Sequence, residues 1–104
     1  MNGTKFITKL FWLADALGER VLVFSTIIDP LVFIKQQLGY HFSWKEGREV
    51  LYMDGQLDVN QHQHFISSFN DFSSEAKVLC ASTKACSEGI NLIGASRVVL
   101  LDTT

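Results

Sequence analysis

Ser82-Thr83-Lys84-Ala85-Cys86-Ser87-Glu88-Gly89-Ile90-Asn91-Leu92 is the stretch of this chain whose residue types are best suited to chemistry. It lies between two apolar runs, Lys77 to Ala81 and Arg97 to Asp102, that read as buried strands. In α/β proteins, ligands bind where loops leave the carboxyl ends of parallel strands. Ser and Thr hydroxyls and backbone amides there can hold phosphate oxygens, and Lys84 adds a point charge. Gly89 removes a Cβ where a backbone must approach a ligand closely, and Asn91 offers both a donor and an acceptor. Two other strand ends carry polar residues, Ser25-Thr26 and Asp54-Gly55. Parallel strands would bring all three ends to one edge of a sheet. Taken singly, each is ordinary turn chemistry; together they mark a candidate phosphate-binding rim.

Other chemistries find no support. The chain has no Gly-x-x-x-x-Gly-Lys-Ser/Thr phosphate loop and no Gly-x-Gly-x-x-Gly fingerprint. It has no Gly-x-Ser-x-Gly nucleophile elbow either, so no catalytic residue is assigned. Cys80 and Cys86, without a second pair or a nearby His, make no zinc site and read as buried reduced thiols. His62 and His64, two apart on an expected helix, face different sides, which argues against a metal pair.

The elements that must position the rim follow from the apolar pattern. Phe6, Ile7, Leu10, Phe11, Leu13, Ala14 and Leu17 recur at helical spacing over 4–17, with Gly18 as the stop. Val21 to Phe24 is a short continuous apolar strand. Asp29-Pro30 reads as an N-cap and first-turn proline opening a helix through Leu38, closed by Gly39. Residues 40–49 read as a polar surface loop, and Val50 to Met53 as the next strand. A third helix from Asp58 to Phe69 turns Val59, His62, Phe65, Ile66 and Phe69 toward one face. The polar connection 70–76 leads to the strand at 77–81. Continuous apolar strands alternating with helices predict an α/β fold, a parallel sheet covered by helices.

The 104 residues make one small domain or part of a larger one, and 47% hydrophobic content suffices for a core. A net charge of −2 gives no broad attraction to DNA or to anionic membranes, so any nucleic-acid contact must be local. No apolar run approaches the roughly 20 residues a membrane span needs.

The loops then agree with a family. Val21-Leu22-Val23-Phe24-Ser25 resembles helicase motif IV in the second RecA-like lobe of the SWI/SNF-type ATPases. Tyr52-Met53-Asp54-Gly55, followed by a helix and Phe69-Asn70, is similar to the family's next segment. Leu79 through Asp102, with Ser-Thr-Lys-Ala-x-x-x-Gly-Ile-Asn-Leu and Gly-Ala-Ser-Arg-Val, resembles motif V and its following strand. The Trp44 to Arg48 loop, Lys84 to Ile90 and Gly94 to Arg97 look most like the plant CLASSY and related remodeller-like group.

The resemblance implies a three-layer RecA-like parallel sheet, as in P-loop NTPase-like helicase C-terminal lobes. It implies that 1–104 is a partial C-terminal helicase domain, truncated at its C-terminus, with motifs IV to V present. Motif VI, with its Gln-x-x-Gly-Arg-x-x-Arg pattern, does not appear, nor does a first lobe. The parent would be a DNA-dependent ATP hydrolase using ATP and Mg2+, whereas this fragment alone would be inactive and bind neither. Ser25, Ser82, Thr83 and Lys84 would contact the DNA backbone, Gly89 and Asn91 would lie near the nucleotide cleft, and Asp54 and Gly55 would shape the loop. The implied partners are DNA, the first RecA-like lobe, and a plant RNA polymerase with chromatin factors, in the nucleus, in small-RNA-directed DNA methylation. Two departures stand out: Cys86-Ser87 where many members have Gly-Gly, and His62 where an Arg often stands, weakening a positive contact. They leave open a non-catalytic interaction module that recruits a polymerase or chromatin partner. A generic nucleotide- or metabolite-binding α/β domain would explain the fold but not the ordered agreement of three loops.

Overall fold

In a computed structural model the described residues are 2–54, 58–82 and 97–101. They form α1 (Asn2–Ala16), β1 (Val21–Ser25), α2 (Ile28–Phe42), β2 (Val50–Met53), α3 (Val59–Asn70), β3 (Val78–Ser82) and β4 (Arg97–Leu100). The four strands make one sheet in the order β2-β3-β1-β4, and every pairing is parallel. The apolar strands are continuous because both faces are covered. Val21, Val23, Val78 and Cys80 pack beneath α1 and α2, whereas Leu22, Leu79, Ala81, Leu51 and Met53 pack beneath α3. This is the α/β/α sandwich that the resemblance implies.

Local outcomes refine the expected elements. On α1, Phe11 and Ala14 are buried with Ile7 packed against them, but Leu13 and Leu17 are exposed. At 3.6 residues per turn, positions two and six beyond Phe11 fall on the far side of the helix. Gly18 does end this element, with φ +70.

Asp29 is not the N-cap of α2. That position is Ile27, extended and without a side-chain cap, and Asp29 sits inside the first turn. There its carboxylate meets the positive end of the helix dipole, and Pro30 lacks only an N–H that would have no intrahelical partner.

Gly39 does not close α2. The helix continues to Phe42 and ends at Ser43 in the left-handed region, φ 59. Phe42 stacks on Trp44 with centroids 4.5 Å apart, and both pack against the core. That packing outweighs a glycine's cost of about 1 kcal/mol within a helix.

The stretch expected to be a surface loop is therefore part helix and part clip. Glu49 carbonyl oxygen accepts from the N–H groups of Lys77 and Val78 at 2.7 and 3.0 Å, fastening the entry of β2 to that of β3. The third and fourth strands also shift against expectation: β3 extends to include Ser82, and β4 ends at Leu100.

Candidate functional site

Parallel pairing fixes the height of every strand end. Ser25 is in register with Ser82, Phe24 with Leu100, and Met53 with Ala81. Asp54, one residue past Met53, therefore follows at the level of Ser82. The carboxyl ends of β2, β3 and β1 thus bring Asp54, Ser82 and Ser25 side by side along one rim. Gly55, Thr83, Lys84, Gly89 and Asn91, named with them from the sequence, lie outside the described residues.

Ser25 and Ser82 are 1% and 4% exposed, so neither hydroxyl stands on the outer surface. The Ser25 hydroxyl accepts from the Ile27 N–H at 3.1 Å, which turns the chain from β1 into α2. A serine at that point converts a strand end into a tight polar turn, because its oxygen replaces a backbone partner. Residues 26–29 after it are exposed.

The opening of α3 is fastened by three successive contacts. Asp58 Oδ1 accepts from the Gln61 N–H at 2.8 Å, and Gln61 Oε1 accepts from the Asp58 N–H at 3.0 Å. This reciprocal pair satisfies two N–H groups at a helix start that would otherwise lack partners. His62, next along the helix, is 1% exposed and carries Nε2 3.0 Å from the Asp54 carbonyl oxygen. A carbonyl can only accept, so Nε2 bears the hydrogen. His62 is therefore an interior residue that ties the start of α3 to Asp54. His64, two residues on, is exposed, as the spacing predicts.

Charge divides between the two edges of the sheet. On the described carboxyl edge the charged side chains in 24–30, 53, 54 and 58–60 are Asp29, Asp54 and Asp58, with no Lys or Arg. Three ion pairs lie at the amino edge. Lys77 Nζ meets Asp15 Oδ1 at 2.8 Å, Arg97 pairs with Glu19, and Arg48 meets Glu75 at 3.0 Å.

Sequence reasoning missed Arg20 there. Its guanidinium is nearly buried and donates to the carbonyl oxygens of Phe69 and, at 2.9 Å, Ser74, closing the carboxyl end of α3. A cation there meets the negative end of the helix dipole. A cleft of about 380 Å³ lies beside it, lined by Asp15, Glu19, Glu49, Phe72 and Lys77 among others. It is on the edge opposite the rim.

The resemblance implies nucleotide and Mg2+ in a full protein. Among the described residues no group of three or more His, Cys, Asp or Glu could hold a metal ion. The described rim offers inward-turned hydroxyls and three carboxylates, a set that does not fit the phosphates of a nucleotide without further residues. Also among the described residues, no helix is long and apolar enough to cross a membrane.

Residues 4–104 match the family model described as the helicase conserved C-terminal domain. The chain is 54% identical over 99 residues to the SNF2 domain-containing protein CLASSY 3 of Arabidopsis thaliana, covering 95% of this chain and 7% of that protein. It is 48% identical over 99 residues to CLASSY 4 of the same plant, covering 95% of this chain and 9% of that protein. In three dimensions it resembles the crystal structure of the C-terminal part of the Fun30 ATPase domain. That match has a TM-score of 0.80 and 28% identity, and covers 96% of this chain and 31% of that one. The chain thus spans a tenth or less of the length of the curated relatives it matches. With a four-stranded parallel sheet between helical layers and agreement over 4–104, the chain belongs to the helicase conserved C-terminal domain family, as a second RecA-like lobe of the SNF2 type.

Proposed function

We propose that this chain is the nucleic-acid-gripping part of the second lobe of an ATP-dependent DNA translocase of the SNF2 class. The observation that carries this reading is the register that sets Asp54, Ser82 and Ser25 in one row, with Ser82 immediately preceding Thr83 and Lys84 in the chain. Thr83 and Lys84 would contact DNA phosphates. Ser25 and Ser82, expected from the sequence to contact phosphates, are buried at the ends of β1 and β3 and would instead hold the chain where it leaves those strands, and Asp54 and Gly55 would shape the neighbouring segment. Gly89 and Asn91 would face the cleft toward a first lobe, where a complete protein would use ATP and Mg2+. Similarity to the CLASSY proteins supports a nuclear role in plant small-RNA-directed DNA methylation, with a plant RNA polymerase and chromatin factors as partners. The test is DNA stimulation of ATP hydrolysis by a full-length two-lobe protein carrying this sequence. Lys84→Ala is expected to raise the DNA concentration for half-maximal stimulation about tenfold, the loss of one charge-assisted phosphate contact. An unchanged DNA dependence would overturn the grip assignment.

A second reading rests on the charge of the rim. Asp29, Asp54 and Asp58, with no described Lys or Arg beside them, would repel a phosphate backbone. A helicase-like module that recruits a polymerase or chromatin partner without hydrolysing ATP fits that distribution. A full-length protein with no ATPase in the presence of DNA would favour it.

A further inference from the structure

Adjacent residues of the first turn of α3 hold Asp58, at its start, and Asp54, at the end of β2. Gln61 closes the reciprocal hydrogen bonds with Asp58, and His62 reaches back to the Asp54 carbonyl oxygen at 3.0 Å. His62 also stays in the helix ladder, since its own N–H donates to the Asp58 carbonyl oxygen at 3.0 Å. The ring is 1% exposed, so water does not compete for this bond. A side chain so placed fixes the height at which Asp54 leaves the sheet, and Asp54 stands in the row with Ser82 and Ser25.

We infer that His62 is a positioning residue for the nucleic-acid rim, holding Asp54, at the end of β2, at the level of the β3 and β1 ends. It acts through the Asp54 backbone and does not touch the polyanion itself. This role rests on the DNA-grip reading proposed above. The required chemistry is narrow: an N–H donor at the distance of Nε2 from the helix, carried on a side chain that tolerates burial. Gln places its amide nitrogen close to that point. Asn, one methylene shorter, places its amide near Nδ1 and misses the carbonyl. Leu fills the volume and offers no donor.

Three variants of the full-length two-lobe protein provide the test: His62→Gln, His62→Asn and His62→Leu. Backbone hydrogen exchange is followed at the first turn of α3 and in β1 and β3, and half-saturating DNA is measured from stimulated ATP hydrolysis. His62→Leu and His62→Asn are expected to speed exchange at the α3 start about tenfold, as a local opening that leaves β1 and β3 protected. They should raise half-saturating DNA several-fold at unchanged maximal rate, and His62→Gln should restore both values. Exchange that rises equally in β1 and β3 would reduce His62 to a general core residue and overturn the inference. So would a DNA dependence unmoved by His62→Leu and His62→Asn in a protein where Lys84→Ala shifts it. If Lys84→Ala also leaves DNA dependence unmoved, the grip reading itself fails and this role falls with it. Should His62→Leu not fold, His62→Asn against His62→Gln decides the same question.

Discussion

Ser25 and Ser82 face each other in register at the ends of β1 and β3, and both are almost fully buried. Their sequence separation is large, yet parallel pairing makes them neighbours on the rim. Two small hydroxyl residues side by side keep bulky side chains from colliding at the ends of two adjacent central strands. The Ser25 oxygen has the further task of accepting the Ile27 N–H.

Ser25→Ala should therefore destabilise the fold by about 1 kcal/mol, the net worth of a partly buried hydrogen bond. Ser25→Leu should cost more, because a buried position must also be overpacked. Urea denaturation of both variants gives the comparison. Equal stability of Ser25→Ala and the parent would show that the turn into α2 does not depend on the hydroxyl.

Arg20 joins the entry of β1 to the end of α3 by donating to the Phe69 and Ser74 carbonyl oxygens. Arg20→Met keeps much of the aliphatic stem but leaves those carbonyls without a donor, and is expected to cost about 2–3 kcal/mol. Arg20→Lys should rescue little, because an ammonium cannot reach several carbonyls as a planar fork does. The denaturant midpoints of the two variants should lie close together and well below that of the parent.

Acid should weaken the segment from Lys45 to Glu49 that leads into β2. The Lys45 N–H donates to Glu49 Oε1 at 2.9 Å and, as the leading cause, holds the Glu49 carboxyl below its ordinary value of 4.5. Arg48 and Lys77 add to this, against the opposing effect of burial. A carboxyl depressed in the folded state contributes stability that is present above the unfolded value. That contribution is lost as pH falls through the lower folded value. Glu49→Gln should flatten the stability profile below about pH 4.5 and leave it unchanged in slope near pH 7. A parallel profile for parent and variant would remove Glu49 from the acid response.

Cys80 is buried in β3, and burial pushes its thiol up to about 12. Since the thiolate is the reactive form, Cys80 should resist alkylation at pH 8 in the folded protein and react fully in denaturant. Mass spectrometry of the alkylated chain reads this directly. Rapid modification of Cys80 under native conditions would mean that β3 opens locally.

Much of the architecture was legible along the chain because its causes are local. Val21 to Phe24 reads as a strand covered on both faces because four consecutive apolar residues cannot all face one side of a sheet. Asp58 reads as the start of α3 because Val59, His62, Phe65, Ile66 and Phe69 recur after it at helical spacing; the reciprocal cap with Gln61 came from the structure. The motif residues from Ser82 onward likewise carried the family in their own order. Local signals also erred for local reasons: Gly39 stops an isolated helix more readily than one whose next turn buries Phe42.

What the chain by itself determined, then, was the set of elements, their alternation and the family. The tertiary structure alone decided the strand order β2-β3-β1-β4, the burial of Ser25 and Ser82, the inward turn of His62 and the capping of α3 by Arg20. Spacing reports which residues share a face of one element. It carries no signal for a guanidinium that meets a carbonyl 49 residues away, because that meeting is set by how separate elements pack around a common core.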